Sequence, residues 1–268
     1  MGNKKPFFNR TRLLLGDEMM TSLDKARVII FGVGGVGSWC AEGLVRSGIG
    51  HLTIVDSDRV CITNINRQMM ATSKTIGMVK VEALKERLHE INPDVEVNAI
   101  QAIYSEETAD QFDLDSFDYV VDAIDSLKDK ASLILHATRS KSKFFSSMGA
   151  ALKIDPRKIE VAEFWKVRGC PLARALRQRF KKQKRYPAKK FLCVYSDELI
   201  DNKGKESSCG TDRCVCPKSE NGVGDPSLVN HEWCSSKARI NGSLMHVTSI
   251  FGLTIAGLIL EDIHKNYR

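Results

Sequence analysis

The stretch Arg27-Val28-Ile29-Ile30-Phe31-Gly32-Val33-Gly34-Gly35-Val36-Gly37-Ser38 decides the fold. A short β-branched and aromatic run feeds a glycine-rich turn, and a helical pattern carrying Ala41, Leu44 and Val45 follows. Gly32, Gly34 and Gly37, with Gly35 between them, fit the G-x-G-x-x-G spacing. Such glycines allow a tight turn and close backbone approach, and the next helix points its N-terminus at a phosphate. About 20 residues further on, the run Leu52-Thr53-Ile54-Val55 ends in Asp56, where a carboxylate can meet a ribose hydroxyl. Many nucleotide-binding enzymes share this fingerprint, so the rest of the chain decides what the site does.

Outward from that turn, strand and helix patterns alternate. A strand at 28–31 leads to a helix at 36–47, and a strand at 52–55 leads to a polar loop. A helix at 77–91 places Met78, Val81, Leu84, Leu88 and Ile91 on one face, and Asn92-Pro93 ends it. A strand near 95–100 and a short helix near 105–112 come next, then the strand Tyr119-Val120-Val121 running into Asp122-Ala123-Ile124-Asp125. A helix at 127–140 and the strand Phe144-Phe145-Ser146-Ser147 complete the series. Such alternation predicts an α/β fold, a doubly wound, mostly parallel Rossmann-like sheet with ligands beyond the carboxyl ends of its strands. An N-terminal helical arm at 1–26, broken at Gly16, precedes this nucleotide-binding candidate region at 27–150. A C-terminal lobe at 151–268 follows, with a Gly-, Ser- and Cys-rich loop at 202–225 and a closing helix at 243–265.

The 268 residues carry a net charge of +7, unevenly spread. No acidic residue lies between Glu163 and Asp197, while Arg174, Arg177, Arg179, Lys181, Lys182, Lys184, Arg185, Lys189 and Lys190 crowd one stretch. Uncompensated cations repel each other unless a polyanion visits, so this stretch is a candidate polyanion surface. The eight cysteines, with no apolar run after Met1-Gly2-Asn3-Lys4-Lys5, predict reduced thiols in the cytoplasm. Cys209, Cys214, Cys216 and Cys234 are poorly spaced for zinc, and isolated thiols are expected, with Cys234 packed. The segment Leu244–Leu260 is broken by His246, Thr248, Ser249 and Thr254 and reads as a buried helix, with peripheral membrane contact left open.

The loop after Asp56 carries Asp58, Asn64, Asn66, Arg67 and Gln68. A nicotinamide site has no obvious need for them, whereas amides and a guanidinium can hold ribose and phosphate oxygens of a nucleoside triphosphate. Lys80, on the first turn of the next helix, adds a point charge, and Asp122 or Asp125 can hold magnesium at the tip of a later strand.

This ordered set resembles the adenylating family of ThiF, MoeB and the ubiquitin-activating enzymes over residues 7 to about 150. The resemblance implies that ATP activates a carboxylate as an acyl-adenylate. Asp56 would hold the ribose, Asn64, Arg67 and Lys80 the phosphates, and Asp125 the magnesium. Phe8-Asn9-Arg10-Thr11 resembles the family's N-terminal segment, making Arg10 a finger toward a partner subunit's triphosphate in a homodimer.

The second half narrows this further. The zinc-binding Cys-x-x-Cys pairs typical of sulfur-carrier activators do not occur. Gly149-Ala150-Ala151-Leu152-Lys153-Ile154-Asp155-Pro156, Pro171-Leu172-Ala173, Cys193-Val194-Tyr195-Ser196 and Phe7–Gly16 are instead similar to the tRNA threonylcarbamoyladenosine dehydratase branch. That likeness implies adenylation of the threonine carboxylate beside the anticodon, then ring closure by the neighbouring carbamoyl group. A tethered nucleophile has a high effective molarity, so no catalytic cysteine is required. The tRNA would lie against Arg174, Arg177, Lys181, Lys182, Lys184 and Arg185. The likeness also raises a monovalent cation (sodium or potassium) and a cysteine desulfurase partner for test. Segment 202–225 and the lengthened Lys237–Asn241 depart from the branch. The rival readings are an adenylyltransferase for a small ubiquitin-like sulfur carrier, a nucleotide-sensing scaffold, and, more distantly, an NAD dehydrogenase.

Overall fold

Strand β1 (Arg27–Phe31) is buried along its whole length after Arg27, as a central parallel strand covered on both faces must be. The computed structural model describes residues 5–204 and 241–267. Around β1 a seven-stranded sheet runs in the order β3-β2-β1-β4-β5-β7-β6. The other strands are β2 (His51–Val55), β3 (Glu96–Ile100), β4 (Tyr119–Asp122), β5 (Lys143–Ser147), β6 (Ile159–Glu163) and β7 (Leu192–Ser196). Every pairing is parallel except that of β6 with β7. The chain leaves β3 at one edge and re-enters beside β1 as β4. Strand order therefore reverses between β1 and β4, the point at which open α/β sheets place a ligand crevice at the strands' carboxyl ends.

Helices cover both faces. They are α1 (Asn9–Lys25), α2 (Gly37–Ser47), α3 (Lys80–Ile91), α4 (Leu127–Ala137), α5 (Pro171–Gln183) and α6 (Met245–Tyr267). One core joins α2, α3 and α6 to the sheet through Leu44, Leu84, Leu88, Phe251 and Ile255. The other joins α4 and α5 to it through Leu133, Ile134, Leu176 and Phe180. Gly16, at φ 81°, breaks α1 where the arm was expected to break. Helix α6 packs tightly on α2: a Cβ added at Gly252 would lie 2.3 Å from the Val36 carbonyl oxygen. Its Val247, Phe251, Ile255 and Ile259 are wholly buried, as a core helix requires. By length and composition alone Met245–Asn266 could cross a membrane, but half of its most apolar window is buried.

Several boundaries shift for local reasons. Helix α3 starts at Lys80 rather than 77, because Gly77 sits at φ 87° and Val79 is extended. The short helix expected near 105–112 is only a turn and the 3-10 segment Ala109–Gln111, since Ser105 and Thr108 bond each other's backbone amides. Helix α4 ends at Ala137, where the Thr138 hydroxyl bonds the Ile134 carbonyl. The sheet also runs past residue 150, gaining β6 and β7 from the segment read as a looser lobe. Cys209, Cys214, Cys216 and Cys234 lie outside the described residues, as do Lys237–Ile240 and most of 202–225.

Candidate active site

The crevice between β1 and β4 is floored by the glycine turn. Gly32 adopts φ 86°, and a Cβ on it would press to 2.8 Å from the Ala123 carbonyl oxygen. At Gly37 an added Cβ would fall 1.9 Å from the Gly32 carbonyl oxygen. Both positions need glycine because the turn, the start of α2 and the loop after β4 touch through backbone. Gly35 faces Thr248 of α6, so the closing helix supports the turn from behind.

Asp56 emerges from the end of β2 and reaches across β1. Its carboxylate accepts from the Val33 amide at 2.8 Å and from the Asp58 amide at 2.9 Å. Lys80, at the first position of α3, donates to Asp58 Oδ2 at 2.6 Å and lies 4.0 Å from Asp56 Oδ1. Burial opposes the charge on Lys80, but Asp56 and Asp58, with Asp125 behind them, outweigh it and hold its pKa above the usual lysine range. Burial raises the pKa of Asp56, while Lys80 pulls it back. The pair is thus a preset charge constellation at a crevice wall, the kind of perturbation common at functional sites.

The 3-10 turn Ile62–Asn64 presents the next residues. Asn64 is buried and spends its Oδ1 on the Cys61 amide at 3.0 Å. Asn66 donates to the Ser243 carbonyl oxygen at 2.9 Å, tying this loop to the segment before α6. Arg67 donates from Nη1 to the Thr63 carbonyl and to Asn66 Oδ1, both at 2.9 Å, while its own carbonyl accepts from Trp39 Nε1. Burial lowers the Arg67 pKa, and the negative charge of Asp125 counters it. Gln68 is buried, with Oε1 enclosed and lacking a hydrogen-bond partner among the described residues.

Asp125 is exposed and its field reaches both Arg67 and Lys80, so these three expected residues converge on one crevice. A magnesium ion held by one carboxylate and substrate phosphate oxygens fits that arrangement. Asp122 does not reach the crevice, which corrects its expected nucleotide contact. Its side chain is fully enclosed, bonded to Lys130 Nζ at 2.7 Å and Ser146 Oγ at 2.6 Å. Arg10 stands exposed on the first turn of α1. Among the described residues no group of three or more His, Cys, Asp or Glu gathers to hold a metal. In the C-terminal half, the Ser196 and Glu198 carbonyls already accept from Lys153 Nζ.

The basic stretch forms α5 and its exit. Arg174, Lys181, Lys182 and Lys184 are exposed, and Arg185 pairs with Glu106 at 2.8 Å, an acid supplied from elsewhere in the chain. Arg177 is not part of that surface. Its Nη1 donates to the Phe164 and Val167 carbonyls at 3.1 and 3.0 Å, and its guanidinium lies over the Phe164 ring. Arg177→Gln should therefore destabilise the fold by about 1–3 kcal/mol through unpaired carbonyls, leaving polyanion binding unchanged in a filter or mobility assay.

Sequence reasoning missed Lys130, Trp39 and Thr248. Lys130 had a signal: it shares the i, i+3, i+4, i+7 stripe of Leu127, Ala131 and Ile134, where a lysine must be paired.

The ThiF family matches the chain over residues 8–261. A tRNA threonylcarbamoyladenosine dehydratase of Bacillus subtilis is 34% identical over 261 residues, spanning 97% of this chain and 95% of that protein. Its counterpart in Haemophilus influenzae is 37% identical over 217 residues, 79% of this chain and 82% of that one. Crystal structures of the Escherichia coli tRNA N6-threonylcarbamoyladenosine dehydratase superpose with TM-scores of 0.78 in complex with AMP and 0.77 with ATP. They are 30% identical to this chain and cover 97% of it and 94% of their own length.

Proposed function

The chain belongs to the ThiF family, and we propose that it is an ATP-dependent enzyme that dehydrates threonylcarbamoyladenosine in tRNA to its cyclic form. The observation that carries this reading is likeness along the whole chain, second half included, to dehydratases of that name. The sulfur-carrier rival rests on features of the nucleotide half alone.

ATP lies on the glycine turn with the N-terminus of α2 toward its phosphates. Asp56 takes the ribose hydroxyls, Arg67 and Lys80 hold the phosphates, and Asp125 would hold magnesium. The threonine carboxylate attacks the α-phosphorus and pyrophosphate leaves. The carbamoyl group of the same nucleoside then attacks the acyl carbon, AMP leaves and a five-membered ring closes, with net loss of one water. Catalysis is positioning and charge stabilisation, because the second nucleophile is already tethered. The test is pyrophosphate release. It should require tRNA bearing the modified adenosine, vanish in Arg67→Ala and fall to a low residual rate in Asp125→Ala. Release with a Gly-Gly-ended carrier protein alone would transfer the assignment to the rival.

The tRNA backbone lies along Arg174, Lys181, Lys182, Lys184 and Arg185. Charge reversal at Lys181, Lys182 and Lys184 should weaken tRNA binding and flatten its salt dependence, by roughly 0.7–0.9 in logarithmic slope for each phosphate no longer neutralised. An unchanged slope would make this a solvated face.

The enzyme works in the cytoplasm as a homodimer. Leu13 and Leu14 are about four-fifths exposed, and Phe7 half-exposed, on the arm that carries Arg10. Such an apolar patch is suited to cover by a second copy. Leu13→Glu with Leu14→Glu should give monomers by light scattering and lose activity. Mixing Arg10→Ala with Asp125→Ala subunits should restore part of it, and no recovery would place Arg10 outside the partner's site. Magnesium accompanies ATP, and sodium or potassium would have to bind away from the carbonyls that Lys153 occupies. Pull-down from a lysate is the test for a desulfurase partner.

A further inference from the structure

Lys130 and Asp122 form an ion pair from which all solvent is excluded, at the carboxyl end of β4 and used by no step of the proposed reaction. Its connections define what it holds. Asp122 is the last residue of β4 and also accepts from Ser146 of β5 at 2.6 Å. Its other oxygen accepts from the Ile124 amide at 3.1 Å. Lys130 rises from α4 and, besides Asp122, donates to the Ile124 carbonyl oxygen at 2.9 Å. The pair therefore grips both polar atoms of the peptide units around Ile124, immediately before Asp125. That loop also abuts the glycine turn, where a Cβ at Gly32 would meet Ala123 at 2.8 Å.

We infer that Lys130 is a positioning residue: its ammonium, paired with Asp122, fixes the Ile124 peptide and so aims the Asp125 carboxylate at the metal-bearing phosphates. A buried pair is a poor device for stability alone, since apolar replacements of similar volume often do as well. It is a good device for geometry, because an ammonium shared between a carboxylate and one carbonyl admits a single arrangement of the loop. A residue of this kind acts on a ligand only through the group it orients, as outer-shell partners of metal ligands do. The inference rests on the assignment of Asp125 made above.

Lys130→Met alone would strand a buried carboxylate and threaten folding, so the test uses the neutral double variant Asp122→Asn with Lys130→Met. The asparagine side chain can still accept from the Ile124 amide and hydrogen-bond the Ser146 hydroxyl, while the Ile124 carbonyl loses its ammonium. The first readout is ATP binding by calorimetry, with and without magnesium. Magnesium-free affinity should be unchanged, and the gain in affinity on adding magnesium should fall about tenfold or more. The second is pyrophosphate release in a cycle with Asp125→Ala. If Lys130 acts through Asp125, removing the pair slows the Asp125-intact enzyme and adds nothing once Asp125 is gone. Full additivity, or an unchanged magnesium response in a folded double variant, would overturn the inference and leave the Asp125 assignment standing. If Asp125→Ala itself has no effect on magnesium-dependent ATP binding, the site assignment falls and the inference falls with it.

Discussion

Lys80→Met is expected to abolish ATP turnover and to destabilise the fold by roughly 3–5 kcal/mol. Both effects have one cause. The ammonium lies 2.6 Å from Asp58 and 4.0 Å from Asp56, on a side chain that is only 7% exposed. Without it two carboxylates face each other at the crevice wall, one of them mostly buried, and the proposed phosphate site loses a point charge. The pH dependence should also move from the alkaline range into the acid-to-neutral range, with the same sign. In the native protein the raised Lys80 pKa means that its contribution is complete below the ordinary lysine range. It is lost only as pH rises through the folded value, so neutral solutions do not disturb it. In the variant, Asp56 keeps the upward push of burial without the compensating ammonium. A carboxyl with a raised folded pKa favours the fold below that pKa and penalises it above. The variant should therefore gain stability relative to the parent on going from pH 8 to pH 5 in urea denaturation. A constant difference over that interval would show that the two acids are paired by something other than Lys80.

Gly37→Ala is the second large effect. The new methyl would lie 1.9 Å from the Gly32 carbonyl oxygen and 3.3 Å from the Ala123 Cβ. Relief by a backbone shift is blocked, because the Gly32 amide donates to the Val55 carbonyl at 2.8 Å and its φ is already 86°. The start of α2 has to move away from the turn. Stability should fall by about 3 kcal/mol, the upper end of overpacking. ATP binding should disappear in calorimetry, since the proposed phosphate site is that helix N-terminus. Gly34→Ala is the control, for its added carbon meets only the Gln68 amide nitrogen at an ordinary 3.8 Å. Equal losses of stability at both positions would mean that the turn fails for a reason other than the contact with Gly32.

These two sites show what was legible in the chain and what was not. The glycine turn, Asp56, Arg67, Lys80 and Asp125 sit at strand ends and helix starts, where spacing along the chain maps onto one crevice. The order of strands and helices up to residue 147 was readable for the same reason, as was the family, which the matches bear out. Strand β6, Ile-Glu-Val-Ala-Glu, was missed because it is an edge strand with its residues half-exposed or exposed, so no apolar run marks it. Strand β7 follows a basic helix rather than a glycine-marked turn, and its burial depends on β5 lying beside it. Asp122 was misread because a carboxylate at a strand tip looks the same whether it faces a ligand or a lysine eight residues on. Arg177 was misread similarly: its helical neighbours Arg174 and Lys181 are surface cations, while its guanidinium turns inward to the Phe164 turn.

Dehydration of the modified adenosine is read by mass spectrometry of the product. The purified protein is incubated with ATP, magnesium and tRNA carrying threonylcarbamoyladenosine, and the nucleosides are then released and weighed. A nucleoside lighter by one water, formed only with ATP and absent with Arg67→Ala, is the predicted result. An unaltered nucleoside under conditions in which the protein binds both ATP and the tRNA would contradict the account.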